Sequence, residues 1–336
     1  MLFRSDMWVI RFTTMCFSIV NSILIGLYAR KHFKFVNFKA TPTPSAIKGA
    51  RAVLIQNITG VVYNSAPIVS ISLSSGGTML ASVYAVYNSI FLMIKTVLRS
   101  VIDAPRLGLG ELAAEKAKEH VWRVFQEYQL LVFYMTFVML CVASVLITPF
   151  IMVYTRGVTD INYNQPVIAF LLALIAYAEL MHIPSGHLIN MTGLFKVSRN
   201  IQLIACLVLV VGIVIGSLTM GLVGILSSIL LTALALAVLE IGYVHSRYFE
   251  KKLGAFFRLS LPFLLTAVPS IWLQSKFLPQ IDGYVGLLLA GVVLVAINAV
   301  LGFALCYVFN KAGTINLAIR LKNMLLKRKA SAQKGS

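Results

Sequence analysis

Charge is scarce in this chain, and acid is scarcest. Of 336 residues only 12% are charged, and Asp and Glu number 11 against 29 Lys and Arg. A soluble domain carries about 25% charged residues. A sequence that is 59% hydrophobic would present water with one continuous adhesive surface, which excludes an ordinary soluble fold. Cysteine is sparse as well. Cys16, Cys141, Cys206 and Cys306 stand far apart inside apolar runs with no CxxC, so they read as small buried hydrophobes. The five histidines, His32, His120, His182, His187 and His245, show no ligand spacing, and neither a metal nor a cofactor is expected. There is no GxxxxGK[ST], no HExxH and no GxSxG, which removes the usual signatures of nucleotide hydrolysis, zinc peptidases and α/β-hydrolases. The links on one side of the apolar runs are short and leave little chain for a catalytic site, so an enzyme is not expected. The net charge of +18 is spread over several short segments without zinc-finger spacing, and no nucleic-acid partner is expected.

What the chain has in abundance is long apolar runs, and its mean hydropathy is +0.87. A bilayer crossing takes about 20 mostly apolar residues. Nine segments qualify: Met7 to Tyr28, Ala52 to Ser74, Thr78 to Leu98, Leu130 to Tyr154, Val167 to Leu188, Ile201 to Leu218, Val223 to Val244, Phe256 to Phe277 and Val285 to Phe309. None alternates apolar and polar residues as barrel strands do. The expected fold is an all-α polytopic transmembrane helix bundle. Ser75-Gly76-Gly77 makes a hairpin of the second and third spans, and Gly221 does the same for the sixth and seventh.

The basic residues partition by side. The segments Ala29 to Arg51, Lys95 to Arg123, Gly193 to Asn200, His245 to Arg258 and the tail from Lys311 hold 25 of the 29 Lys and Arg. The exceptions are Arg4, Arg11, Arg156 and Lys276. Positive segments stay cytoplasmic, which places the C-terminus inside and Met1 outside. That start suggests that upstream helices are lacking. Pro42 and Pro44 mark Ala29 to Arg51 as an extended linker. Glu111 to Tyr128 and Thr314 to Lys329 read as interfacial helices against membrane lipids, and Ala330 to Ser336 as disordered.

Polar side chains within the spans form stripes, and polar groups in hydrocarbon need partners or water. On the second span Asn57, Gly60, Asn64 and Pro67 share a face, flanked by Gln56 and Tyr63. This is either the wall of a wet cavity or helix-packing glue. On the third, Tyr84, Asn88, Lys95 and Arg99 align with Tyr87 beside them, leading toward two cations that either attract a phosphate or snorkel to headgroups. On the fifth, Glu179, His182, Gly186 and Asn190 align. Glu179 and His182 either carry a proton or form a structural hydrogen bond. Glu240 reads as a snorkelling or paired acid. Arg11 either snorkels or faces a cavity. Asn57, Asn64, Asn88 and Lys95 are expected to turn toward one shared wet interior.

Four stretches carry a resemblance to a family. They are ASVYAVYNSI (Ala81 to Ile90), APRLGLGELAAE (Ala104 to Glu115), YTRGVTDINYNQP (Tyr154 to Pro166) and HIPSGHLINMTGLFKVSRN (His182 to Asn200). In order and spacing the chain resembles the polysaccharide flippases, the O-antigen and exopolysaccharide transporter type, of the multidrug/oligosaccharidyl-lipid/polysaccharide exporter superfamily. The resemblance covers roughly Ala52 to Val244. It implies movement of an undecaprenyl-diphosphate-linked oligosaccharide between leaflets, by alternating access of two lobes, with basic cavity residues on the diphosphate. It also implies 12 or 14 helices. Residues 1–28 would then be the last helix of an N-terminal lobe, 29–51 the inter-lobe linker, 52–244 the C-terminal lobe, 245–310 two additional helices and 311–336 a basic cytoplasmic tail. The expected partners are the lipid-linked oligosaccharide, membrane lipids and other polysaccharide assembly proteins. The other readings are a drug or cation exporter of the same superfamily, which wants acidic cavity residues, and a membrane component of polysaccharide assembly that does not transport.

Overall fold

The computed structural model describes residues 7–33, 49–73, 77–158, 161–316 and 319. The linker prolines, the Ser75-Gly76 link, the Arg11 side chain and nearly all of the basic tail lie outside the described residues. Contacts divide the chain into two units, Met1–Lys48 and Gly49–Ser336. The first contributes helix α1 (Met7–His32). Its described large apolar side chains, among them Trp8, Phe12, Phe17 and Leu24, are exposed. The hydroxyls of Thr13, Ser18 and Ser22 each donate to the carbonyl four residues back. Hydroxyls satisfied within their own helix can face hydrocarbon at little cost.

The second unit holds α2 (Ala50–Leu73), α3 (Gly77–Ile102), α4 (Arg106–Glu115), α5 (Lys118–Tyr154), α6 (Pro166–Met181), α7 (Ile183–Met191), α8 (Phe195–Tyr243), α9 (Gly254–Phe277) and α10 (Tyr284–Phe309). A single π-helical turn, Val244–Tyr248, closes α8. No strand occurs among the described residues. Eight helical runs are long and apolar enough to cross a bilayer. One of them is two crossings. At Gly221 the backbone takes φ 56°, ψ −129°, a region open to glycine alone. A Cβ on either Gly216 or Gly224 would run into the other's carbonyl. Residues eight apart in a straight helix sit about 12 Å apart, so this contact requires the chain to fold back. The chain is therefore an all-α, multi-pass membrane protein, with nine apolar crossings among the described residues, one in the first unit and eight bundled in the second.

α5 is the hub. It packs against α3, α4, α6, α7, α9 and α10, while α8 packs against α2, α6 and α7. At 37 residues α5 is about 56 Å long, well beyond a hydrocarbon core of about 30 Å. The expected interfacial helix over Glu111 to Tyr128 is not a separate element. Lys116 and Ala117 are extended, ending α4 and starting α5. Val121, Trp122 and Phe125 are buried in protein, not laid on lipid. Trp122 and Phe125 pack with His245 and Phe249. The aromatic payload finds more contact there than at a headgroup layer.

The fifth predicted span is broken. Pro184 has no N–H for the carbonyl of Leu180, and its ring crowds that carbonyl. The helix stops at Met181, passes through His182 (φ −91°, ψ −9°) and restarts at Ile183. This break separates the directions of Glu179 and His182.

Candidate functional site

Four helices converge on a cavity of about 220 Å³. α2 brings Tyr63 and Asn64, α3 brings Lys95 and Arg99, the end of α6 brings Glu179, and α8 brings Gln202. His182, at the break between α6 and α7, also lines it. Glu179 organises the inner wall. Its Oε2 accepts from the Lys95 ammonium at 2.8 Å, and its Oε1 accepts from the Tyr63 hydroxyl at 2.7 Å. The two charged side chains are only 14% and 9% exposed. A buried pair of this kind returns the desolvation cost of both ions only when the remaining lone pairs are also bonded, and Tyr63 meets that condition for Glu179. Arg99 makes no salt bridge among the described residues and is exposed at the rim.

His182 does not bond to Glu179. Its Nδ1 lies 2.8 Å from Oε2 of Glu240, an acid that is 4% exposed on the second arm of α8. Gly186 makes this pairing possible, because a Cβ there would stand 2.7 Å from the Glu240 oxygen. On the other side of the cavity the Thr59 hydroxyl lies 3.0 Å from Oε1 of Gln202 and ties α2 to the first arm of α8.

The candidate residues from the sequence divide as follows. Asn64, Lys95, Arg99, Glu179 and His182 line the cavity, and Asn57, Tyr84, Tyr87 and Asn88 do not. Asn57 lies two residues before the lining Thr59, and Asn88 lies four before the lining Leu92, so both stripes begin outside the hollow. The hollow is shorter than the stripes. Tyr84 and Tyr87 are buried, at 7% and 0% exposure. The Tyr87 hydroxyl donates to the carbonyl of Tyr163 at 2.9 Å and accepts from the amide of Gln165 at 3.0 Å, so it ties down the loop between α5 and α6. The side chain of Arg11 lies outside the described residues. Gln202, Thr59 and Glu240 are site residues that the stripes did not single out. Gly186 was the available signal for Glu240, since a glycine in mid-face leaves room for a neighbour.

Among the described residues no group of three His, Cys, Asp or Glu side chains forms a metal-ligand set. Chemically the arrangement can hold a charged or hydrogen-bonding group against a matched ion pair. No protein-family model, no curated protein and no solved structure matches the chain.

Proposed function

We propose that the chain is a membrane carrier, or one lobe of a carrier, for a lipid-linked oligosaccharide with an undecaprenyl-diphosphate anchor. In this reading it sits in a bacterial cytoplasmic membrane with its C-terminus cytoplasmic and serves O-antigen or exopolysaccharide assembly beside other assembly proteins. The observation that supports it is the convergence of polar groups from four crossings on one hollow. Transporters place their substrate sites between helices, at breaks in helices that line a cavity. The α6–α7 break at His182 is such a place.

The ion pair defines how an anion would bind. Lys95 is neutralised by Glu179, so a diphosphate meets Arg99 first and takes Lys95 only by displacing the Glu179 carboxylate. Asn64 and Gln202 stand ready for sugar hydroxyls. Lys95→Ala is expected to reduce surface polysaccharide by more than any fall in the protein's membrane level accounts for. Unaltered export would take Lys95 out of the mechanism.

One observation favours the alternative of a drug or cation exporter. Three acids, Glu127, Glu179 and Glu240, are buried, and Glu179 lines the cavity. Glu179→Gln separates the two readings. An anion carrier gains an unopposed Lys95 and keeps or improves its half-saturating substrate level. A cation exporter loses its counter-charge, and cells expressing the variant lose resistance in a drug-susceptibility profile.

A further inference from the structure

A second hollow lies away from the polar cavity. It is a groove of about 470 Å³ between α5, α6 and α9. Its α5 wall runs from Thr136 to Thr148, about 18 Å at helical rise. Phe137, Ala173, Phe263 and Ala267 contribute to an almost wholly apolar lining. All three walls are membrane-crossing helices, so the groove lies at bilayer depth. Water finds few hydrogen-bond partners on such walls, and an empty groove forfeits dispersion contacts along its whole length. A hydrocarbon chain answers both conditions.

One end of the groove is chemically marked. Trp272 and Ser275 line it, close to the last turn of α9. Lys276 follows, with its ammonium 5.3 Å from the centre of the Trp272 ring. Thr148 and Pro166, near the end of α5 and at the start of α6, belong to the same end. Tryptophan favours the headgroup level of a membrane. Lys276 is also one of the four basic residues that stand outside the charge-rich segments. Its place at the mouth of a hydrocarbon-shaped slot gives that exception a use, because a fixed cation there matches the phosphate at the head of a lipid chain.

We propose that this groove is a site for one anionic phospholipid, with an acyl chain between α5, α6 and α9 and its phosphate at Lys276. The proposal stands apart from the transport reading and does not depend on it.

Bromine on an acyl chain quenches a nearby tryptophan, and Trp272 is at the mouth. The full chain is reconstituted into phosphatidylcholine vesicles with rising fractions of brominated phosphatidylglycerol or brominated phosphatidylcholine. The Trp272 signal is obtained by subtracting the Trp272→Phe variant. Half-quenching is expected at a several-fold lower mole fraction of the anionic lipid. Lys276→Gln brings the two curves together, and Ala267→Phe, which fills the groove, weakens quenching by both lipids. Should Ala267→Phe fail to assemble, Ala173→Phe fills the groove from the opposite wall. Identical curves for the two lipids in the unaltered protein overturn the proposal. So does a preference that survives Lys276→Gln, or quenching untouched by the filling variants.

Discussion

Lys95 and Glu179 stabilise each other only as a pair. Removing one partner of a buried ion pair costs about 3–5 kcal/mol, and a wet cavity brings the figure toward the lower end. Lys95→Ala alone is therefore expected to lower thermal stability more than the Lys95→Ala/Glu179→Ala double variant does. A double-mutant cycle in detergent, followed by thermal unfolding, should return a coupling of at least about 1 kcal/mol. Simple additivity would mean that the pair is not formed in the folded protein. Gly186 makes an equally local demand. Gly186→Ala pushes a methyl group into the Glu240 carboxylate and is expected to cost about 1–3 kcal/mol. Glu240→Asp withdraws that carboxylate by one methylene, so the combination should recover part of the loss. The readout is the same melting experiment.

Among the elements, α8 and the α9–α10 pair make the sharpest demands. Gly221 holds a conformation that other residues reach only with strain of about 1–3 kcal/mol. Gly221→Ala should lower the yield of folded protein, measured as the monodisperse fraction on size exclusion. In the α9–α10 pair the Asn298 side chain is fully buried. Its Nδ2 donates to Oε1 of Gln274 at 2.8 Å, and its Oδ1 lies 3.2 Å from the Ser270 hydroxyl. Interhelical bonds of this kind in membranes are worth about 0.6–2 kcal/mol, and Asn298→Leu should cost about that much in a denaturation series. The reversal at Gly221 was legible in the sequence because glycine between two apolar runs has a single local meaning. The break at Pro184 was equally visible in its residue type but was read through, because the apolar run continues past it. The break at Lys116 and Ala117 had no signal, since both are adequate helix formers and tertiary packing decides where α5 begins. Gly186 marked room for a neighbour beside His182, but the identity of that neighbour was out of reach. Glu240 is 58 residues away, and no local periodicity reports which distant acid a helix face will meet.

For the whole molecule, the number of crossings was readable because run length and hydropathy need no knowledge of neighbours. The cavity was only half readable. Stripes on α2 and α3 told which faces are polar, but its length is set by where α6 ends and where α8 lies across it. Topology is the property to test at this scale. A fluorescent protein fused after Ser336 should fluoresce, and alkaline phosphatase fused after Gln165 should be active. The reverse pattern would invert the reading of the basic segments.

The Gly216–Gly224 contact has a mechanical consequence. With no side chain between them, the two arms of α8 cannot slide toward each other, and their remaining freedom lies at Gly221. Gln202 and Glu240 lie equally far from that turn on opposite arms, one tied to Thr59 and the other to His182. The polar cavity's two outer ties, to α2 and to the α6–α7 break, thus hang from arms that share a single glycine elbow.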